Sequence, residues 1–198
     1  MTTATRALAA ASALIVFAGS CASPVGTRPE HPSVVKVAVL AGGYGSGVVI
    51  ADGWVLTCAH CVPARSADGL PATHHIAHPT LDLALIKVPG ITSNGLQFGE
   101  EPSLHDRLFA YGWHLATYFL KTEGYQGGFP GLMSAPIIHG CSGGAVVDSG
   151  GDLIGIIQYV LYSSTASGMD GAALPHVSGY TPIGPPERKW IAEQLAAQ

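Results

Sequence analysis

At 198 residues the chain has room for one substantial hydrophobic core or two small ones. It is 47% hydrophobic and only 11% charged, with 26 Gly and 14 Pro, which excludes a disordered or coiled-coil chain and suits a compact all-β protein rich in turns. The net charge of −4, without any Lys/Arg cluster, excludes an electrostatic partnership with nucleic acid.

The N-terminus reads as an export signal. Arg6 precedes an uninterrupted small and apolar run from Ala7 to Ala18, which Gly19-Ser20-Cys21 closes. The run is too short to span a bilayer, and its small-residue ending suits cleavage, so residues 1–20 are expected to be removed. The small-small-Cys ending resembles the bacterial lipoprotein signal, which would make Cys21 a lipidated first residue attached to a membrane; plain secretion with cleavage nearby is the alternative. Either route places the mature chain outside the cytoplasm, periplasmic or secreted. Residues 21–32 then form a Pro-rich tether ahead of a domain over 33–198.

Short apolar runs broken by Gly, Pro, Asn and Asp follow: Val34–Leu40, Gly47–Ile50, Trp54–Thr57, Leu83–Val88, Leu108–Tyr111, Thr117–Lys121, Gly144–Val147, Leu153–Leu161 and Val177–Pro182. Many short strands at this spacing predict a sandwich or barrel. One helix is predicted, opened by Pro185-Pro186 with Trp190, Ile191 and Leu195 on its apolar face.

Three residues carry the chemistry. A serine hydroxyl is a poor nucleophile at neutral pH; it needs a base, and the base needs an anion to fix its tautomer. Ser142 stands in Gly140-Cys141-Ser142-Gly143-Gly144, where small residues let the backbone turn and the Gly140 and Ser142 N–H groups point at one spot. His60 follows the apolar run Trp54-Val55-Leu56, and Asp82 leads the run Leu83-Ala84-Leu85-Ile86. The order His, Asp, Ser is that of chymotrypsin-type proteases; subtilisins and α/β-hydrolases order the three differently.

These segments resemble the trypsin/chymotrypsin family, including its bacterial high-temperature-requirement branch. The stretch G-Y-T-P-I-G-P-P-E-R-K-W-I-A-E-Q-L also resembles that branch's last strand and helix. The resemblance implies two small six-stranded-type β-barrels packed face to face, dividing near Thr92–Leu104, with a C-terminal helix. It implies a serine endopeptidase with His60, Asp82 and Ser142 as the triad, the Gly140 and Ser142 amides as oxyanion hole, a protein or peptide substrate, and neither cofactor nor metal. A catalytically silent binding module on the same fold and an esterase-like serine hydrolase are the alternatives.

The resemblance also places a substrate pocket at Pro136, His139, Gln158, Val160 and Ser178. No Asp or Glu lies between Gly124 and Ser142, so cleavage after basic residues is not expected, and the branched Val160 favours small or medium apolar residues. Histidines line the pocket of members that cut after acidic residues, a part open to His139 or His176. Cys141 stands where the family has Asp or Asn, so activation by propeptide removal is not expected. Animal members pair a Cys at the position of Cys61 with one on the preceding strand; here Gly45 occupies that neighbourhood, and pairing of Cys58 with Cys61 or with Cys141 stays open. Zinc held by Cys58, His60, Cys61, His74, His75 and His78 is the competing chemistry, but the spacings are poor for it.

Overall fold

The apolar runs become strands, and the strands curl into two sheets. The computed structural model describes residues 33–94, 96–161 and 177–197. Residues 1–32, with Cys21, and His176 therefore lie outside the described residues.

The first sheet holds β1 (Val34–Val39), β2 (Tyr44–Ala51), β3 (Trp54–Thr57), β4 (Ala64–Ala67), β5 (Leu70–Pro71), β6 (His74–Ala77) and β7 (Ala84–Lys87). Their spatial order is β5-β4-β1-β2-β3-β7-β6. The second holds β8 (Arg107–His114), β9 (Tyr118–Tyr125), β10 (Leu132–Met133), β11 (Ala145–Val147), β12 (Leu153–Leu161) and β13 (Val177–Pro182), in the order β10-β13-β12-β11-β8-β9. Each sheet is a curled half-barrel of antiparallel strands. The chain crosses between them in the stretch from Lys87 to Arg107.

Three cores result. Val35, Val37, Val49, Val55 and Ile86 fill the first barrel, and Leu108, Met133, Ile137, Ile154 and Tyr180 the second. The third is the seam between the barrels, where Val34, Leu56, Leu83 and Leu85 meet Tyr111, Trp113, Leu153 and Ile156. Fully burying one Leu or Ile stabilises the fold by about 1.5–3 kcal/mol relative to leaving it exposed. The helix α1 (Pro185–Ala196) closes the seam: Ile191 is buried, and Trp190 and Leu195 pack against the same cluster. Its face is the one the sequence predicts. Its N-terminus is held by Glu187, whose carboxylate accepts from the Gly184 N–H at 2.9 Å.

The first sheet has seven strands, of which β4, β5 and β6 lie outside the predicted runs, as does β10 in the second.

Candidate active site

The His60–Asp82 pairing follows from strand register. The end of β3 faces the start of β7, with Thr57 opposite Ala84. His60 lies three residues beyond Thr57, in a single 3-10 turn over Ala59–Cys61, and Asp82 lies two residues before Ala84. The two chain exits are thus neighbours. Both Asp82 oxygens bind His60: Oδ1 accepts from the backbone N–H at 2.9 Å, and Oδ2 lies 2.7 Å from the ring Nδ1. The second contact fixes the neutral ring as its Nδ1–H tautomer and leaves Nε2 facing away from the carboxylate. The His60 side chain is 49% exposed and that of Asp82 21%.

Ser142 comes from the second sheet, in the loop before β11, and sits between β2 and β12. Its carbonyl accepts from the Ser46 N–H at 2.7 Å, and on the other side Gly143 donates to Ile157 at 2.8 Å. The Ser142 hydroxyl donates to the Gln158 carbonyl at 3.3 Å, not to His60. The Cys61 thiol, next in sequence to His60, lies 3.8 Å from the Ser142 carbonyl, so the His60 turn and the Ser142 loop abut.

The loop itself is a tight turn. Cys141 N–H donates to Ile138 at 3.1 Å, and Gly140, third of the four residues, has φ +92°, while His139 has no positive φ: a type II turn. Among the described residues, the backbone N–H groups of Gly140 and Ser142 have no acceptor. The turn packs on the β8–β9 hairpin so closely that a Cβ at Gly140 would lie 2.5 Å from Leu115 N and 2.7 Å from Trp113 O.

Two residues that sequence reasoning missed organise this region. Ser46 is fully buried and makes four hydrogen bonds. Besides its N–H, its hydroxyl donates to the Gly140 carbonyl (2.9 Å) and accepts from the Trp113 N–H (2.8 Å), and its carbonyl accepts from Thr57 (2.7 Å). A serine between glycines in an otherwise apolar strand was the available signal. His114, at the end of β8, donates through Nδ1 to the His139 carbonyl at 2.7 Å. The hairpin beyond it turns through Leu115 (φ 45°) and Ala116 (φ 58°), with Thr117 N–H on the His114 carbonyl at 2.8 Å. This type I′ turn normally takes Asn or Gly, and non-glycine residues held there cost on the order of 1–3 kcal/mol each.

Of the remaining predicted positions, Gln158 and Val160 lie on β12 and Ser178 on β13, while Pro136 and His139 lie in the loop between β10 and β11. Val160 pairs with Ser178 across the two strands. Ser178 is fully buried and its hydroxyl donates to the Ala135 carbonyl at 2.8 Å, so it serves the wall rather than a ligand. Gln158 is half-buried, and Pro136 and His139 are exposed.

Cys58, Cys61 and Cys141 are all free thiols and all buried, so neither open pairing is formed. Burial pushes the Cys61 and Cys141 thiols up to about 11 and raises that of Cys58 well above its ordinary value. Cys58 donates to the Ile157 carbonyl at 3.0 Å. Its sulfur, a His60 nitrogen and an Asp82 oxygen lie within 4.8 Å of one another. Cys61, His74, His75 and His78 join no such group among the described residues: His75 Nε2 lies 3.0 Å from the Ala64 N and O, and His78 sits edge-on to Trp190.

No protein-family model and no curated relative matches this sequence. Solved structures do. The active form of the Rv3671c protease from M. tuberculosis aligns with TM-score 0.63 at 22% identity, covering 83% of this chain and 80% of that one. Its inactive form aligns at 0.61 and 22%, covering 84% and 88%. Kallikrein-related peptidase 10 aligns at 0.64 and 22%, covering 86% and 98%. The fold is that of the chymotrypsin-like serine proteases.

Proposed function

We propose that the chain is a serine endopeptidase in which Ser142 attacks a peptide carbonyl and His60 takes its proton. Asp82 holds the His60 tautomer and stabilises the imidazolium, and the Gly140 and Ser142 N–H groups bind the developing oxyanion. The observation that carries this reading is the two-point grip of Asp82 on His60, at 2.9 and 2.7 Å, beside a serine whose neighbouring amides are free. In this reading the Ser142 hydroxyl leaves the Gln158 carbonyl for His60 Nε2 as substrate binds, in keeping with active sites whose catalytic hydrogen bonds tighten only then. Collapse of the tetrahedral intermediate passes the proton from His60 to the leaving amine and leaves an acyl ester on Ser142, which water then hydrolyses by the same two steps. Cys141, buried with its thiol pushed up to about 11, is the inert neighbour of the nucleophile rather than a rival to it.

The decisive experiment is fluorophosphonate labelling with a casein digest alongside. Wild type should label and cleave, Ser142→Ala should do neither, and Cys141→Ser should keep most of the activity. Asp82→Asn should lose on the order of 10,000-fold in kcat, the figure borrowed from the chymotrypsin triad. An unlabelled wild type would make the chain a silent binding module; labelling without casein cleavage would make it an esterase-like hydrolase. Export, with Cys21 as a lipidated first residue, belongs to the same proposal and rests on residues 1–21 alone.

A further inference from the structure

Glycine at position 140 does not by itself decide which way the turn faces. The peptide plane joining His139 to Gly140 is the centre of the Ile138–Cys141 turn, and types I and II differ by a flip of that plane. Glycine tolerates the φ of either state. The plane is trans, so its carbonyl, which belongs to His139, and its N–H, which belongs to Gly140, point in opposite directions. Whatever holds the carbonyl therefore aims the amide.

His114 holds the carbonyl. Its Nδ1 lies 2.7 Å from the His139 oxygen, a short contact in which the ring must be the donor. On the opposite side of the plane, the Gly140 N–H has no acceptor among the described residues, and neither has the N–H of Ser142 two residues on. The ring is fixed in turn. His114 pairs with Tyr118 across the hairpin, their rings stacked at 6.5 Å and 15°, and the turn between them uses left-handed Leu115 and Ala116 rather than the residues such turns favour. Strain of this kind persists only where surrounding structure over-determines it, and it falls here on the hairpin that touches Gly140.

We infer that His114 is a positioning residue of the site: its ring N–H locks the His139–Gly140 peptide in the orientation that leaves the Gly140 amide free to bind an oxyanion. The inference rests on the hydrolase reading above. In the flipped state the His139 oxygen, not the Gly140 N–H, would face the substrate carbonyl, and a donor would be replaced by an acceptor. Because the lock acts on transition-state binding, its loss lowers kcat and leaves KM in place.

The test compares wild type with His114→Phe, which keeps the ring and its stacking but has no donor, and with the near-isosteric pair His114→Asn and His114→Asp, of which only Asn can donate. For each, kcat and KM on one peptide substrate, the fluorophosphonate labelling rate and the melting temperature are measured. His114→Phe should lose about ten-fold in kcat and in labelling rate at unchanged KM, about 1.4 kcal/mol and thus the size of a single hydrogen bond. His114→Asn should recover most of that loss, and His114→Asp should be at least as slow as Phe. If His114→Phe does not fold, the contrast between Asn and Asp is sufficient by itself. Variants that all react at the wild-type rate, a loss carried by KM, or Asn as slow as Asp would each overturn the lock while a reactive wild type keeps the hydrolase reading. A wild type that neither labels nor cleaves refutes that reading and the lock together.

Discussion

Gly45 faces Cys61 across the junction of β2 and the His60 turn: a Cβ on Gly45 would lie 2.7 Å from the Cys61 sulfur and 3.6 Å from its Cβ. The second distance falls within the 3.5–4.5 Å range of disulfides. Gly45→Cys should therefore form a bridge to Cys61 under oxidising conditions, with only a few tenths of an ångström of adjustment. Closing a loop of this length stabilises by about 3 kcal/mol in the chain-entropy account. The check is the melting temperature with and without reductant, together with the free-thiol count of the unfolded variant. A variant with the wild-type complement of thiols plus one would show that the strands cannot close the gap.

Buried thiols give stability a pH dependence at the alkaline end. Desolvation pushes Cys61 and Cys141 up to about 11 from an ordinary value of 9.0, so the folded chain keeps protons that the unfolded chain would release. The stabilisation is present in full below the unfolded value and is lost as pH rises through the folded one, here between 9.0 and about 11. A shift of this size amounts to roughly 3 kcal/mol per thiol. Cys141→Ala should show a shallower decline in melting temperature across that window than wild type. Parallel curves would remove the thiol from the account.

The placement of His60 and Asp82 at strand ends was legible because each lies beside an unbroken apolar run, and such runs become strands whatever surrounds them. The absence of a partner for Cys61 on the preceding strand was legible, since Gly45 holds that neighbourhood, whereas pairing of Cys58 with Cys61 or Cys141 stayed open until the structure showed all three thiols free. The strands β5 and β10 were not: two residues each, Leu70–Pro71 and Leu132–Met133, carry no measurable period. The strand β6 hides behind two adjacent histidines at an exposed edge, where a His-rich loop edge is the natural reading. Ser46 left only the faint mark of a serine between glycines, and His114 left none. Their roles lie in hydrogen bonds to Gly140 and His139, and no local pattern records a partner 94 or 25 residues away.

Ser46→Ala should be destabilising although it removes a single oxygen. The hydroxyl serves a buried Trp113 N–H and the Gly140 carbonyl at once, and neither gains a substitute partner. One stranded buried group costs about 1–3 kcal/mol. Denaturant unfolding reads the loss directly, and labelling should slow because the Gly140 peptide loses an anchor. Wild-type stability in this variant would mean that water takes the place of the hydroxyl.

Attachment through Cys21 makes a separate prediction from the sequence. Expressed in a bacterial host, wild type should partition with membranes and incorporate palmitate, and Cys21→Ser should turn soluble or remain uncleaved. A wild type found wholly in the soluble fraction, with its N-terminus at Ala22 or beyond, would replace lipidation with plain secretion.

Residue preference turns on the β12–β13 wall. Val160 pairs with Ser178, whose hydroxyl donates to the Ala135 carbonyl. The stretch from Gly124 to Ser142 contributes no carboxylate that would neutralise a basic side chain. By the family resemblance, Val160 occupies a position where an open slot has Gly. Cleavage should follow Ala, Val, Thr or Leu, with Arg and Lys at least ten-fold worse, about 1.4 kcal/mol in transition-state binding. The preference among apolar residues should be soft, since one methylene changes such binding by only about 1–3 kcal/mol. Val160→Gly should admit Phe or Tyr by deepening the slot. A peptide library profiled on the mature protein decides the matter: dominance of Arg or Lys would show that these positions do not form the pocket. Dominance of Glu would pass the selection to His139 or His176.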